Sequence, residues 1–322
     1  MTYILVDTAN TFFRARHVIK GDADTKLGMA FHITLNSIKK AWQDFKGTHV
    51  VFCLEGRSWR KDYYEPYKRN RSDARAALTP KEQEEDQLFW ESFDKFKEFL
   101  NERTNCTVLQ HPQLEADDLI AGWIQNHSDD DHVIISTDSD FMQLIAPNVK
   151  QYNGVMEQTI THEGIFDKKN NRVIDSKTKQ PKDIPNPEWL LFEKCMRGDS
   201  SDNVFSAYPK VRKNKLEEAF RDRSNKGFAW NNLMLQRWID HNGEEHRVLE
   251  DYERNKQLVD LSCQPEEIKK IIVDKIKTVE PKSVSQVGIR LLKFCQLYDL
   301  QKISDQIQSY ADPLNAKYKG AL

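Results

Sequence analysis

Nine acidic residues stand at five places of similar form: Asp7; Glu55; Glu115 with Asp117 and Asp118; Asp138 with Asp140; and Asp199 with Asp202. Asp138 and Asp140 follow the apolar, β-branched run Val133-Ile134-Ile135. Glu115 and Asp118 are three apart, so they share a helix face, and Asp117 lies beside them. Asp199 and Asp202 repeat that spacing after Gly198. Each place has an ordinary explanation by itself. An Asp before a helix caps it, acids in a first helical turn suit the helix dipole, and a Glu before Gly is a common turn residue. Taken together, the carboxylates repel one another unless a cation lies among them. An acid set without His or Cys suits hard divalent ions, Mg²⁺ or Mn²⁺, and not zinc. Two such ions roughly 3.5–4 Å apart activate a water and stabilise the leaving oxygen of a phosphodiester.

These acids need a scaffold that gathers them. Tyr3–Val6, His49–Leu54, Cys106–Leu109 and Val133–Ile135 read as short buried strands, three of them ending at or just before an acid, and Val149–Tyr152 reads as a further strand. Helical patterns lie between them, over about 29–45, 81–100 and 114–124. In an open α/β sheet the site forms outside the carboxyl ends of the strands, where these acids would sit. The stretch 154–188 is polar and turn-rich, with Pro181, Pro185 and Pro187, and marks a change of subdomain. Beyond it the pattern is helical, over about 188–196, 230–240, 247–261, 266–277 and 283–310. Asp129-Asp130-Asp131 reads as a solvated loop before the Val133 strand.

Two segments are basic. Residues 57–75 carry Arg57, Arg60, Lys61, Lys68, Arg69, Arg71 and Arg75, with Trp59, Tyr63, Tyr64 and Tyr67 interleaved. Cations neutralise phosphates and aromatic faces stack on unpaired bases, so this segment is expected to hold nucleic acid. Residues 210–226 carry Lys210, Arg212, Lys213, Lys215, Arg221, Arg223 and Lys226. The net charge of the whole chain is only −2, so the distribution and not the total carries this signal.

The chain has 322 residues, 30% of them charged, with no apolar run near the ~18 residues of a membrane span. Its N-terminus lacks the basic and apolar stretches of a signal peptide. Cys53, Cys106, Cys195, Cys263 and Cys295 are scattered, with no Cys-x-x-Cys, which fits a reducing cytoplasm. Without further information the residues point to a metal-dependent phosphodiesterase. A compact ribonuclease of the PIN type and a non-catalytic DNA-binding replication factor whose acids only cap helices are the alternatives.

Six motifs in order carry a resemblance: Leu-Val-Asp7, an acid after the second strand, Tyr67-Lys-Arg-Asn-Arg71, Glu115-Ala-Asp-Asp118, Ser136-Thr-Asp-Ser-Asp140 and Gly198-Asp-Ser-Ser-Asp-Asn203. In these the chain resembles the flap endonuclease/5′→3′ exonuclease family, and within it the ribonuclease H type of T-even bacteriophages. The resemblance implies an α/β fold with a mostly parallel central sheet flanked by helices, a PIN-like nuclease core. It implies a nuclease domain over 1–188 with a helical arch at 57–95 and a helical DNA-binding region over 189–310; the weak periodicity of 311–322 reads by itself as a loosely ordered tail. The resemblance implies two Mg²⁺ ions, with Mn²⁺ as a substitute. One ion would lie near Asp7, Glu55, Glu115, Asp117 and Asp118, the other near Asp140, Asp199 and Asp202, with Asp138 close to both. Lys68 and Arg71 match the arch cations that contact the scissile phosphate.

The implied activity is hydrolysis at 5′ ends and flaps of DNA and RNA–DNA hybrids, including the RNA primers of lagging-strand fragments. The implied setting is a monomer in a bacterial host's cytoplasm, with no membrane contact and with a sliding clamp or single-strand-binding protein as a sensible partner. Two features depart from the family. Glu55 stands where Asp is usual, and Val204–Lys213 lacks the glycines of a helix-hairpin-helix loop, so duplex contact rests on Lys210, Arg212, Lys213 and Lys215 and a bound K⁺ is not expected.

Overall fold

Strand β1 (Thr2–Asp7) is the centre of the sheet, and Tyr3 to Val6 are fully buried because both faces of the strand are covered. The computed structural model describes residues 1–184 and 186–320. β1 pairs in parallel with β2 (His49–Cys53), which pairs with β3 (Thr107–Leu109). On its other side β1 pairs in parallel with β4 (Asp131–Ile135), and β4 with β5 (Val149–Asn153). The antiparallel β6 (Gln158–Thr161) and β7 (Gly164–Phe166) complete a seven-stranded sheet of order β3-β2-β1-β4-β5-β6-β7. The β6–β7 hairpin is thus part of the main sheet.

The alternation of side chains along β1 divides the core. Ile4 and Val6, with Val50, Phe52, Val133 and Ile135, face a cluster built from helices Thr8–Val18, Ala23–Asp44, Pro80–Arg103 and Val287–Leu297. Tyr3, on the opposite face, meets Trp123 of helix Ala116–Asn126 edge-on at 5.3 Å. Such two-sided cover explains why these strands read as continuous apolar runs.

The chain groups into two units: Met1–Ser58, Leu78–Ile184 and Lys269–Leu322 form the first, and Trp59–Ala77 with Pro185–Ile268 the second. The change of unit after Ile184 lies close to a division at residue 188, but residues 59–77 and 269–322 group otherwise than a single division there implies. The final stretch returns to the first unit because Leu291, Phe294, Ile303 and Leu314 supply its core. The expected arch at 57–95 is also divided. Trp59–Ala77 belongs to the second unit, whereas the 80–103 helix is anchored in the first by Phe89, Phe93 and Phe96.

The tail is better ordered than its weak periodicity suggests. Helix Ile307–Asn315 buries Leu314, and the buried Tyr318 hydroxyl lies 2.9 Å from His127 Nε2. Ala321 and Leu322, expected to be loose, lie outside the described residues, as does Pro185 of the connector. Asp130 is not purely solvated, since it pairs with the Met1 amino group.

In the second unit, helices Pro187–Arg197, Lys213–Asp222, Phe228–Met234 and Val248–Val259 surround Phe192, Met196, Leu216, Trp230 and Leu258. The stretch 230–240 is not one helix. It ends at Met234 and continues as β8 (Arg237–Ile239), paired antiparallel with β9 (Glu245–Arg247). The Asp240 carboxylate accepts from the backbone N–H groups of Asn242 and Glu244, and Gly243 adopts φ +87°, so a tight turn replaces the helix. In the first unit, the 283–310 pattern breaks into helices Val287–Leu297, Gln301–Ser304 and Ile307–Asn315 around Asp299, at φ +50°. Among the described residues, no helix is long and apolar enough to cross a membrane.

Candidate active site

The order β3-β2-β1-β4-β5 reverses direction at β1, so the crevice beside its carboxyl end is the switch point where open sheets bind ligands. Asp7 ends β1 in register with Cys53 of β2, and Val6 is in register with Ile135 of β4. Glu55 follows β2, and Asp138 and Asp140 follow β4. Helix Ala116–Asn126 opens with Glu115 at its N-cap and Asp117 and Asp118 in its first turn. The acids of the first unit therefore lie at or after the carboxyl ends of β1, β2 and β4 and at the start of the helix that follows β3.

Hydrogen bonds fix these carboxylates. Ser136 Oγ donates to Asp7 Oδ2 at 2.7 Å and accepts from the Asp138 N–H at 3.0 Å. Asn10 Oδ1 accepts from both the N–H and the hydroxyl of Thr137, clamping the turn between Ser136 and Asp138. Gln151 Nε2 donates to the carbonyls of Ser136 and Asp138. Asp138 Oδ1 accepts from the Asp140 N–H at 2.9 Å. Glu55 Oε2 accepts from the Ala116 N–H at 3.2 Å, and Ser58 Oγ donates to Glu115 Oε2 at 2.9 Å. Ser58, Asn10, Ser136 and Gln151 were not among the expected site residues. Ser136 and Asn10 lie within or next to the acidic motifs, which is the only signal they offered.

Gly56 makes the approach of these loops possible. Its N–H donates to the Leu114 carbonyl, and a Cβ at this position would lie 2.1 Å from the His111 carbonyl oxygen. Only a residue without a side chain lets the Glu55 turn pass so close to the loop entering Glu115.

Carboxylate oxygens of Glu115, Asp117 and Asp118 all lie within 4.8 Å of one another, with Asp118 fully buried and Glu115 nearly so. Three acids so close, two of them out of water, could hold a hard divalent cation, and Asp117 and Asp118 also accept from backbone N–H groups at the helix start. The field of this edge is felt by Cys53, whose thiol is pushed well up, first by burial and then by Asp7 and Glu55. A second cluster of polar side chains, Asp240, Glu244 and His246, lies at the β8–β9 turn, where Asp240 already serves the backbone.

Asp199 and Asp202 belong to the second unit. Gly198 turns the chain at φ +75°, where a Cβ would meet the Val204 carbonyl oxygen at 2.3 Å. Lys194 Nζ lies 2.7 Å from Asp199 Oδ2, and Ser201 donates to Oδ1 through its N–H and its hydroxyl. Burial alone would raise the Asp199 carboxyl, but Lys194 and Ser201 outweigh it and hold the group below the usual carboxylate range. Asp202 accepts from the Tyr67 hydroxyl at 3.0 Å, lies 3.6 Å from Lys68 Nζ and pairs with Arg71. The Lys68 N–H also donates to the Asp202 carbonyl at 2.8 Å.

The expected catalytic cations are therefore docked on an expected metal ligand. Tyr67 is buried in the second core with its hydroxyl on Asp202, so it does not offer a face to bases. Arg60 is likewise no surface cation. It is fully buried and its Nε donates to the Leu258 carbonyl at 2.8 Å. Arg57, Arg69, Arg71 and Arg75 are exposed and Lys61 is half-buried. Lys210, Arg212, Lys213 and Lys215 are exposed at the start of helix Lys213–Asp222, where backbone N–H groups add positive potential.

A mostly parallel sheet with a carboxylate cluster at its switch-point edge defines a resolvase-like α/β domain of the PIN type. Residues 2–171 match the family described as 5'-3' exonuclease, N-terminal resolvase-like domain. The chain belongs to this 5'-3' exonuclease family. It is 32% identical over 195 residues to a ribonuclease H of Enterobacteria phage T4, covering 58% of this chain and 55% of that protein. It is 27% identical over 214 residues to a DNA polymerase I of Rhizobium leguminosarum, covering 62% of this chain and 18% of the polymerase. The chain thus spans about half, or less, of the length of these curated relatives. A solved structure of T5 5'-exonuclease with bound zinc superposes with a TM-score of 0.61 at 19% identity, over 97% of this chain and 100% of that one. This likeness bears out the fold.

Proposed function

We propose that this chain is a divalent-metal-dependent 5′ nuclease that hydrolyses phosphodiester bonds at 5′ ends and flaps of DNA and RNA–DNA hybrids, including primer RNA during lagging-strand replication. The observation that carries the reading is the carboxylate edge at the switch point, in a chain of the 5'-3' exonuclease family. Glu115, Asp117 and Asp118 would hold one ion together with Asp7, and Asp138 would serve the reacting centre. Mg²⁺ bound there lowers the pKa of water and offsets the charge that builds on the phosphoryl oxygens.

The chain's own residues supply preorganisation. Ser136 holds Asp7 and the Asp138 backbone in one arrangement, Glu55 is fixed on the Ala116 N–H, and Ser58 orients Glu115. Such supporting contacts set ligand geometry before substrate arrives. In this proposal Lys68 and Arg71 share their charge between Asp202 and a substrate phosphate. The exposed Arg57, Arg69 and Arg75 follow the single-stranded backbone, while Lys210, Arg212, Lys213 and Lys215 take duplex phosphates.

The test is a duplex with a fluorescent 5′ flap, incubated with Mg²⁺ or EDTA, for the natural chain and Asp138→Asn. Flap release that needs Mg²⁺ and falls at least a hundredfold in the variant, with binding retained, is the expected result. Tight binding without cleavage under any divalent ion would make the chain a DNA-binding module.

A further inference from the structure

The helix Val287–Leu297 has two apolar faces, and only one is used by the fold. Val287, Leu291, Phe294 and Cys295 are buried in the main core. Ile289 and Leu297 are 53% and 79% exposed, although both are large aliphatic side chains. They are eight residues apart, so they lie along one side of the helix about 12 Å from each other. Both line a groove of 610 Å³ between this helix and the end of helix Pro80–Arg103. Phe99 and Phe294 form part of its floor, stacked with ring centroids 4.5 Å apart.

The rim of the groove is cationic. Lys95 and Arg103 come from one helix, Arg290 and Lys293 from the other, and Glu98 is the only acid among the lining residues. Four bases against one acid contrast with the net charge of −2 for the whole chain. Among the described residues, Lys95, Arg290 and Lys293 make no ion pair with a carboxylate. Arg103 meets Glu102 at 3.9 Å, so three of the four rim cations have no carboxylate partner among the described residues, and the two aliphatic side chains stay exposed.

We infer that this groove docks an acidic peptide segment of a partner protein, one that carries two large apolar side chains about 12 Å apart. Charge complementarity selects an acidic partner. Exposed Ile289 and Leu297 select apolar anchors, which a nucleic-acid backbone does not have. Stacking of bases finds little purchase, because Phe99 and Phe294 are only 6% and 5% exposed and the remaining lining aromatic, Tyr298, is half-buried. An extended peptide rises about 3.3 Å per residue, so anchors four residues apart match the spacing of the two contacts. The groove shares no residue with the carboxylate edge, and this inference does not depend on the nuclease reading.

The experiment uses the full chain and a fluorescein-labelled peptide of Asp and Ser residues bearing two leucines four residues apart, followed by fluorescence anisotropy. Saturable binding is expected, weakened at least tenfold by Lys293→Glu and at least fivefold by Leu297→Ser. Replacing the peptide's leucines by serine, or its aspartates by asparagine, is expected to abolish binding. Both protein positions are exposed, so the variants should match the natural chain in far-UV circular dichroism and in cleavage of a naked flap. No saturable binding, or equal binding by both variants, overturns the inference. So does an oligo-dT probe that binds in place of the peptide and is lost in the same variants, which would make the groove a nucleic-acid surface.

Discussion

His132 opens the strand that leads to the acidic edge, and it offers a test of how that strand is buried. The ring is 1% exposed and stacks on Tyr3 with centroids 5.7 Å apart. Burial, then the neighbouring His127, pulls its pKa from 6.5 to about 4, with Asp130 opposing. The folded chain therefore takes up this proton only near pH 4, whereas the unfolded chain takes it up near 6.5. Between these values the unfolded state binds more protons, so stability falls as pH falls and levels off below 4. One pH unit within that window is worth about 1.4 kcal/mol per group, so acidification to about pH 5 costs roughly 2 kcal/mol at His132. His132→Phe keeps a planar ring against Tyr3 and removes the titration. Urea unfolding at about pH 8 and pH 5 should show the natural chain losing roughly 2 kcal/mol more than the variant. His49, which is also pulled to about 4, titrates in both proteins and cancels. Parallel losses in the two proteins would refute the argument that a buried neutral imidazole sits at this position.

Two further expectations concern the loops that hold the acids. Gly56→Ala places a methyl against the His111 and Leu114 carbonyl oxygens and should lower unfolding stability by about 1–3 kcal/mol, read by urea denaturation; an unchanged midpoint would show that the loops can separate freely. Ser136→Ala removes the hydroxyl shared by Asp7 and the Asp138 N–H and should weaken Mn²⁺ binding about tenfold in isothermal titration; an identical isotherm would show that these carboxylates need no such support.

The acidic edge was legible because β1, β2 and β4 are short, mostly buried apolar runs, each with an acid soon after it. Val133–Ile135 and Asp138 are the plainest case, and the register of Val6 with Ile135 then follows from the topology. Local patterns could not show which polar side chain serves which acid. Tyr67 reads as a base-stacking aromatic, yet its hydroxyl is spent on Asp202, which lies 135 positions away. Arg60 reads as a surface cation, yet the Leu258 carbonyl receives its Nε–H inside the protein. Lys194, in the last turn of its helix, gave no sign of its pairing with Asp199. Helical periodicity also ran past breaks that depend on single backbone angles, at Asp299 and at the Asp240–Gly243 turn.

The first unit is drawn from three separated stretches of chain, and the last of them has a consequence for how the protein is made. Asn105, just before β3, donates through its side chain to the carbonyls of Val284 and Asn315, and its N–H donates to the Leu314 carbonyl. These contacts span 179 and 210 residues of sequence. On the ribosome, β1 to β7 emerge well before the segment that closes their hydrophobic cluster. Phe31, Phe96 and Phe99 each lack one aromatic neighbour until Phe294 arrives. A chain cut before residue 269 would keep every strand of this sheet but lack the part of the first unit that completes its hydrophobic cluster, leaving apolar surface that favours aggregation.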